Sequence, residues 1–323
     1  METILHSFTG GNGSADGNGP YGSLIQATNG NYYGTTRNDG GGGGCVFEIT
    51  PSGTVTILHS FGVIAEDGYY PTAGLVQGTD GAFFGTTTAG GGNGGGYGTV
   101  FKISPQGTYT KLHSFRDGSV TNDGSGPTTS LVEGADGNFY GTTPGGGSAG
   151  DGTVYRITPD GVLTILHSFG DGSVTNDGTT PEAPLILGAD GNFYGTTNGG
   201  SSHDEGTLFK ITPQGTETIM HNFGDGSVTN DGSGPTTPLM QGTDGNFYGT
   251  TENGGAQSGT LGGSGCVFKM TPQGVVTILH SFDGGTALND GELPLGGLTQ
   301  GPDGSIYGMA SRGGGRGRSR LYL

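Results

Sequence analysis

The chain has 323 residues, including 76 glycines and 15 prolines, and only 29% of it is hydrophobic. Such a composition is typical of disordered chains, but 13 tyrosines and 15 phenylalanines recur at regular intervals. Lysine and arginine number 11 against 28 aspartates and glutamates, giving a formal net charge of −17. This excess argues against nucleic acid as a partner, and no apolar run approaches the roughly 18 residues of a membrane span.

A unit of about 54 residues is repeated through the sequence. Its first marker is Leu-His-Ser-Phe or a close variant, and its second is an aromatic residue followed by Gly-Thr-Thr. Each marker occurs six times, the last copy of the second having decayed to Tyr-Gly-Met-Ala. The histidines of the first marker are His6, His59, His113, His167, His221 and His280.

The unit at 116–169 shows the predicted elements in chain order. Strands are predicted at 130–133, 139–143, 153–157 and 163–169. An Asp-Gly turn separates the first pair, a glycine-rich loop the second pair, and a Pro-Asp-Gly turn the third pair. Since no segment has the 3.6-residue apolar period of a helix, the unit is predicted to be four antiparallel strands.

Six four-stranded units predict an all-β fold, a six-bladed β-propeller forming a single domain over 1–323. Residues 2–8 resemble a lone fourth strand, and 298–300, 305–308 and 319–323 resemble strands one to three, so the two ends are predicted to close the ring. A stacked solenoid is the alternative, but it does not explain these complementary ends. The predicted blades are 9–61, 62–115, 116–169, 170–223, 224–282, and 283–323 with 1–8.

These units resemble the GloVer-type tandem repeat of bacterial choice-of-anchor surface proteins. The resemblance rests on L-H-S-F, D-G-N-F-Y-G-T-T and G-T-V-F-K-I-T-P-x-G, in constant order over 2–311. It implies an extracellular or surface-displayed protein of no established activity, and it supplies no catalytic residues. Related proteins usually carry an export signal and a C-terminal anchor. Neither is recognisable here, which suggests a mature or trimmed form, and the last unit ends in arginine-rich sequence instead of G-T-V-F-K-I.

Aspartates recur in the segments that cross from one unit to the next. Three of these crossings read D-G-S-V-T-N-D-G. Closely spaced oxygen donors on a glycine-rich loop suit Ca²⁺, although the spacing is not that of an EF-hand. The alternative is that the aspartates cap their own turns. The candidate calcium ligands are Asp117, Asp123, Asp171, Asp177, Asp225 and Asp231.

The repeated histidines and the two cysteines are interpreted as structural. One histidine per blade, spread around a disc, cannot converge on one metal ion, so each is expected to hydrogen-bond a neighbouring strand. Cys45 and Cys266 occupy the same third-strand position in different units, where other units have threonine. Two non-adjacent blades hold them too far apart for a disulfide, which predicts buried free thiols.

The near identity of the units argues against an enzyme, because 117–143 and 225–251 agree at 23 of 27 positions. A catalytic site needs one asymmetric cluster of unlike groups. The sequence therefore predicts a non-enzymatic extracellular scaffold that self-assembles into a surface filament or layer. The alternative is a multivalent adhesion module whose glycine-rich and Asp-Gly loops bind glycan or protein. Calcium is the sole cofactor considered, and neither nucleic acid nor a membrane span is expected.

Overall fold

The structure is a computed structural model that describes residues 4–8, 16–38, 42–92, 96–256, 264–282, 291–313 and 319–322. The chain divides into two compact units. Unit 1 is Met1–Ser148 with Gly152–Ile165, and unit 2 is Ala149–Asp151 with Leu166–Leu323. Over the described residues there is no helix with the length and apolar character needed to cross a membrane.

Unit 1 contains three four-stranded sheets with the strand orders β1-β2-β3-β4, β6-β7-β9-β10 and β12-β13-β15-β16. Short two-stranded ladders join β5 to β8 and β11 to β14. The last strand, β16, runs on into unit 2. The strands are β1 (Ile25–Gln26), β2 (Tyr32–Thr36), β3 (Cys45–Ile49), β4 (Val55–Ser60), β5 (Gly68–Tyr69), β6 (Val76–Gln77), β7 (Phe83–Thr87), β8 (Ala89–Gly90), β9 (Thr99–Ile103), β10 (Tyr109–Ser114), β11 (Gly124–Ser125), β12 (Val132–Glu133), β13 (Phe139–Thr143), β14 (Gly145–Gly146), β15 (Thr153–Ile157) and β16 (Leu163–Ser168).

Unit 2 repeats the pattern with the orders β18-β19-β21-β22 and β23-β24-β25-β26, followed by a sheet that has three strands in the described residues, β28-β29-β31. Ladders join β17 to β20 and β27 to β30. The strands are β17 (Gly178–Thr179), β18 (Ile186–Leu187), β19 (Phe193–Thr197), β20 (Gly199–Gly200), β21 (Thr207–Ile211), β22 (Glu217–Asn222), β23 (Met240–Gln241), β24 (Phe247–Thr251), β25 (Cys266–Met270), β26 (Val276–Ser281), β27 (Gly291–Glu292), β28 (Thr299–Gln300), β29 (Ile306–Ala310), β30 (Arg312–Gly313) and β31 (Ser319–Tyr322).

This arrangement confirms the predicted all-β fold of repeated four-stranded antiparallel sheets. It also shows how the long loops are held. In the third sheet, Gly124 and Ser125 of the crossing pair with Gly146 and Gly145 of the glycine-rich loop. Equivalent ladders join the crossing and the glycine-rich loop at three further sheets, so these two segments lie at the same end of those sheets.

In the five four-stranded sheets the second strand is buried along nearly its whole length, whereas β29 of the last sheet is only partly buried. All five residues of β13 are buried. Its glycine, Gly141, is required by packing, since a Cβ there would lie 2.6 Å from the hydroxyl oxygen of Tyr155 and 2.8 Å from Cδ2 of Leu131. Aromatic rings connect successive sheets within unit 1, where Phe84 stacks on Phe139 with ring centroids 3.9 Å apart. The largest fully buried side chains are all tyrosines and phenylalanines, each of which buries a large apolar area.

A bulge in the fourth strand precedes the repeated histidine. In the first sheet, Val46 pairs with His59 while Phe47 pairs with Ile57, so Leu58 is the extra residue. Bulges locally re-aim the side chains of a strand. The backbone carbonyl of Leu58 is also 3.1 Å from where a Cβ of Gly107 would lie, in the turn before β10. The bulge thus brings one sheet against the next.

The chain ends differ from the prediction. Residues 4–8 are assigned no strand, and 1–3 lie outside the described residues. The predicted strand at 2–8 is therefore wrong over 4–8, because the described pairings give that segment no ladder partner. Residues 319–322 form a strand, as predicted. In the loops, Asp290 and part of the crossing before it lie outside the described residues.

Candidate functional site

Five histidines of the repeat lie against the aspartate of the crossing that follows them, and for His280 that aspartate, Asp290, lies outside the described residues. The sequence predicted a structural hydrogen bond, but to a neighbouring strand; the partner is instead a crossing carboxylate. The distances from Nε2 to Oδ2 are 3.1 Å for His6–Asp16, 3.1 Å for His59–Asp67, 2.9 Å for His113–Asp123, 3.0 Å for His167–Asp177 and 2.8 Å for His221–Asp231.

Backbone amides donate further hydrogen bonds to these aspartates. Asp123 Oδ2 accepts the amide of Arg116 at 2.8 Å, and Oδ1 accepts the amide of Gly124 at 2.9 Å. The carboxylate thus receives three hydrogen bonds, one from His113 of β10 and two from backbone amides. Together they hold the crossing against the fourth strand, and a carboxylate with this many donors is well compensated for its burial.

The other calcium candidates cap turns. Asp117, Asp171 and Asp225 each accept the amide of the serine two residues later at 2.8 Å. The hydroxyl and amide of Ser173 hold the pKa of Asp171 below its ordinary value. These contacts are those expected of turn caps. Calcium binding at the six aspartates stays a prediction.

We use the word corner for a repeat histidine, the aspartate paired with it and the first residue of the next fourth strand. The corner that contains His167 differs from the others. Corresponding corners combine a histidine, an aspartate and the first residue of the next fourth strand, and in this corner that third residue is Glu217. Its Oε2 lies 2.9 Å from Nε2 of His167. The side chains of His167, Asp177 and Glu217 are 6%, 5% and 1% exposed. The residues in the same place elsewhere are Val55, Tyr109, Leu163 and Val276.

The His167 corner is electrostatically unbalanced. Burial disfavours a charged imidazole, but the hydrogen bonds and charges of Asp177 and Glu217 outweigh it and raise the pKa of His167 to about 10. Burial raises the pKa of the Glu217 carboxyl, and the hydrogen bond and charge of His167 oppose that rise. Neither carboxylate oxygen of Glu217 receives a well-oriented hydrogen bond. One Nε2 proton cannot point at two acceptors, and among the two carboxylates only Asp177 meets hydrogen-bond geometry with this nitrogen.

Among the histidine, cysteine, aspartate and glutamate side chains that the structure describes, His167, Asp177 and Glu217 form the group with metal-ligand spacing. One ligating atom from each lies within 4.8 Å of the others. The sequence analysis included Asp177 but missed Glu217. The available signal was an acidic residue at a repeat position that is otherwise apolar or aromatic.

The cysteines are free and buried, as predicted. The Sγ atoms of Cys45 and Cys266 lie 3.1 and 3.2 Å from the hydroxyls of Thr36 and Thr251. They replace the buried threonine pair seen in other sheets, such as Thr143 with Thr153 at 2.8 Å. Burial raises the pKa of Cys266 to about 11, which keeps it a thiol at neutral pH.

Exposed tyrosines and arginines share a second area, in unit 1. The guanidinium carbon of Arg37 lies 5.9 Å from the ring centroid of Tyr21 and 5.6 Å from that of Tyr70. Arg116 lies 4.6 Å from the centroid of Tyr97, which is 50% exposed. An open cleft of about 660 Å³ beside Tyr97 and Arg116 is also lined by Glu66, Lys111 and Asp117. We call Tyr21, Tyr69, Tyr70 and Tyr97 the tyrosine surface.

The fold is that of β-propeller-like proteins. An auxiliary nutrient binding protein from Bacteroides thetaiotaomicron aligns with a TM-score of 0.52 at 14% identity, over 95% of this chain and 69% of that chain. A protein provisionally assigned as a gluconolactonase aligns with a TM-score of 0.51 at 12% identity, over 93% of this chain and 87% of that chain. A search of curated proteins found no match.

The sequence also identifies the family. The model of the Gloeobacter/Verrucomicrobia repeat matches twice, over residues 1–133 and 119–322. The chain therefore belongs to the Gloeobacter/Verrucomicrobia repeat family, which confirms the predicted repeat type, while the assignment to choice-of-anchor surface proteins stays a prediction.

Proposed function

We propose that the chain is a non-enzymatic, extracellular scaffold: a six-bladed propeller whose last blade is completed by the N-terminal segment. The observation that carries this proposal is the packing of residues 4–8. His6 pairs with Asp16 as His59 pairs with Asp67. A Cβ on Gly53 would lie 2.5 Å from the carbonyl oxygen of Leu5. The equivalent glycine of the next sheet, Gly107, lies in the same way against the carbonyl oxygen of Leu58.

The aromatic contact of this segment also matches that of a fourth strand in a later sheet. Phe8 contacts Phe47 with ring centroids 5.0 Å apart, as Phe61 contacts Phe101 at 5.2 Å. Residues 4–8 thus occupy, beside the first sheet, the place of a preceding fourth strand. The sheet that lacks a fourth strand in the described residues is β28-β29-β31. Completion of that sheet by 4–8 closes the ring within one chain, and completion of a neighbour's sheet links chains into a filament or layer.

Deletion of residues 1–8 tests the proposal. For closure within one chain, we expect a monomeric parent and a deletion variant with a lower Tm that self-associates through its open edge. A synthetic peptide of residues 1–8 should restore both properties. If the parent is polymeric and the deletion disperses it, the N-terminal segment is donated between chains and the scaffold self-assembles. A deletion that changes neither Tm nor assembly state contradicts the proposal.

A second candidate function, adhesion to glycan, is favoured by the tyrosine surface. Aromatic faces and neighbouring arginines suit stacking on sugar rings with hydrogen bonds to hydroxyl or acidic groups. Binding should appear on a glycan array and should be lost in Tyr70→Ala and Tyr97→Ala. Val162→Ala, at a residue that is 60% exposed outside the tyrosine surface, is the matched control. No binding across the array would exclude this function.

A further inference from the structure

The three side chains of the His167 corner come from separate segments. His167 lies in β16, Asp177 in the crossing that follows, and Glu217 at the start of β22. Their ligating atoms converge, and their side chains are at least nine-tenths buried. We propose that His167, Asp177 and Glu217 bind a divalent transition-metal ion, Zn²⁺ or Mn²⁺, that ties these three segments together.

The charge of the group supports a cation. A neutral imidazole with two carboxylates carries two negative charges, which one divalent ion balances. A proton on His167 balances one of them and leaves an uncompensated carboxylate in a nearly dry environment, which is costly. Glu217 is the group left over, because its buried oxygens receive no well-oriented hydrogen bond. The corresponding corners lack this second carboxylate and therefore lack the imbalance.

The distances agree with shared coordination. Nε2 of His167 lies 3.0 Å from Oδ2 of Asp177 and 2.9 Å from Oε2 of Glu217. Adjacent ligands with bonds of about 2.1 Å are separated by about 3.0 Å on an octahedral ion such as Mn²⁺ and by about 3.4 Å on a tetrahedral ion such as Zn²⁺, so the distances match octahedral coordination more closely. Backbone amides further orient one ligand, since Asp177 accepts hydrogen bonds from Gly170 and Gly178 at 2.9 Å each. Such outer contacts are usual around metal ligands.

The donor set selects the class of metal. An imidazole nitrogen with two carboxylate oxygens suits Zn²⁺ or Mn²⁺, whereas Ca²⁺ prefers six to eight oxygen ligands. The site shares Asp177 with the calcium prediction and differs from it in requiring His167 and Glu217. Because its ligands are buried and come from three segments, the ion would act on stability.

The test is metal content and thermal stability of the full chain. After metal removal and dialysis against Zn²⁺ or Mn²⁺, we expect about one retained ion per chain by elemental analysis, with a rise in Tm of roughly 5 °C at saturation. Glu217→Leu, which installs the residue of the preceding corner, and Glu217→Gln, which keeps the shape, should abolish both effects. Asp171→Asn, an exposed aspartate of the same crossing, should bind as the parent does.

The outcomes separate the possibilities. The proposal is overturned if the parent retains neither ion, or if both Glu217 variants retain metal as the parent does. Loss of binding in Asp171→Asn but not in Glu217→Gln would place the ion in the crossing and would also overturn it. Should Glu217→Leu fail to fold, Glu217→Gln alone decides, since it removes the charge and leaves the side-chain volume.

Discussion

The His113 corner and the His167 corner are built from one repeated pattern and differ in the first residue of the next fourth strand. In both, a histidine of the fourth strand pairs with a crossing aspartate that also accepts two backbone amides. The next fourth strand begins with Leu163 at the first corner and with Glu217 at the second. The first corner has one carboxylate for its histidine, whereas the second has two carboxylates for one histidine. One substitution in a repeat can therefore turn a structural pair into a candidate ligand site.

The largest expected effect comes from removing the aspartate at each corner. Asp123→Ala leaves His113 and the amides of Arg116 and Gly124 without their acceptor, and we expect it to lower the free energy of unfolding by about 3 kcal/mol. Asp177→Ala should cost about 1 kcal/mol less, since Glu217 can accept the hydrogen bond of His167. Denaturant unfolding in the presence of a chelator measures both changes.

The two variants are matched because each loses the same pair of backbone contacts. The difference between them isolates the histidine and its second acceptor. Equal losses at the two corners would mean that Glu217 does not substitute for Asp177, and the comparison would then rest on charge alone.

The next largest effect on stability is expected when a carboxylate equivalent to Glu217 is introduced at the His113 corner. Leu163 is buried in a core cluster with Phe115, Leu131 and Tyr155. Leu163→Glu should lower the free energy of unfolding by about 2 kcal/mol without metal, because it removes apolar contacts and buries a second negative charge near the pair. Added Zn²⁺ should recover part of the loss. If Leu163→Glu costs nothing in chelator, such corners tolerate a second carboxylate, and the charge argument for the His167 corner fails.

The sequence predicted the all-β fold well because every repeat unit carries the same strand and turn motifs. The aromatic-Gly-Thr-Thr motif located the buried second strands, and turn residues located the short connections. The pairing of His113 with Asp123 was not predicted, since it depends on a bulge and on a carboxylate ten positions away. Glu217 was missed for a similar reason. It is far from His167 in sequence, and no motif links the two positions.

At the His59 corner the first residue of the next fourth strand is Tyr109. Replacing it is expected to have a smaller effect on stability. Tyr109 stacks on His59 with ring centroids 3.9 Å apart and an angle of 1° between the planes. Tyr109→Leu, which copies the residue of the His113 corner, should lower the free energy of unfolding by about 1 kcal/mol through the lost ring contact. A thermal or denaturant melt measures it. An unchanged or higher stability would show that leucine serves this corner equally well.

The smallest effect is expected at the exposed aspartates of the crossings. Asp117 and Asp171 cap the amides of Ser119 and Ser173 at 2.8 Å and touch neither histidine pair. Replacing either with alanine should lower the free energy of unfolding by less than about 1 kcal/mol, since an exposed turn cap contributes little. The loss should be equal with calcium and with chelator. A loss that grows in calcium and shrinks in chelator would instead establish the calcium sites that the crossing sequences suggest, and both corners would then have a metal neighbour.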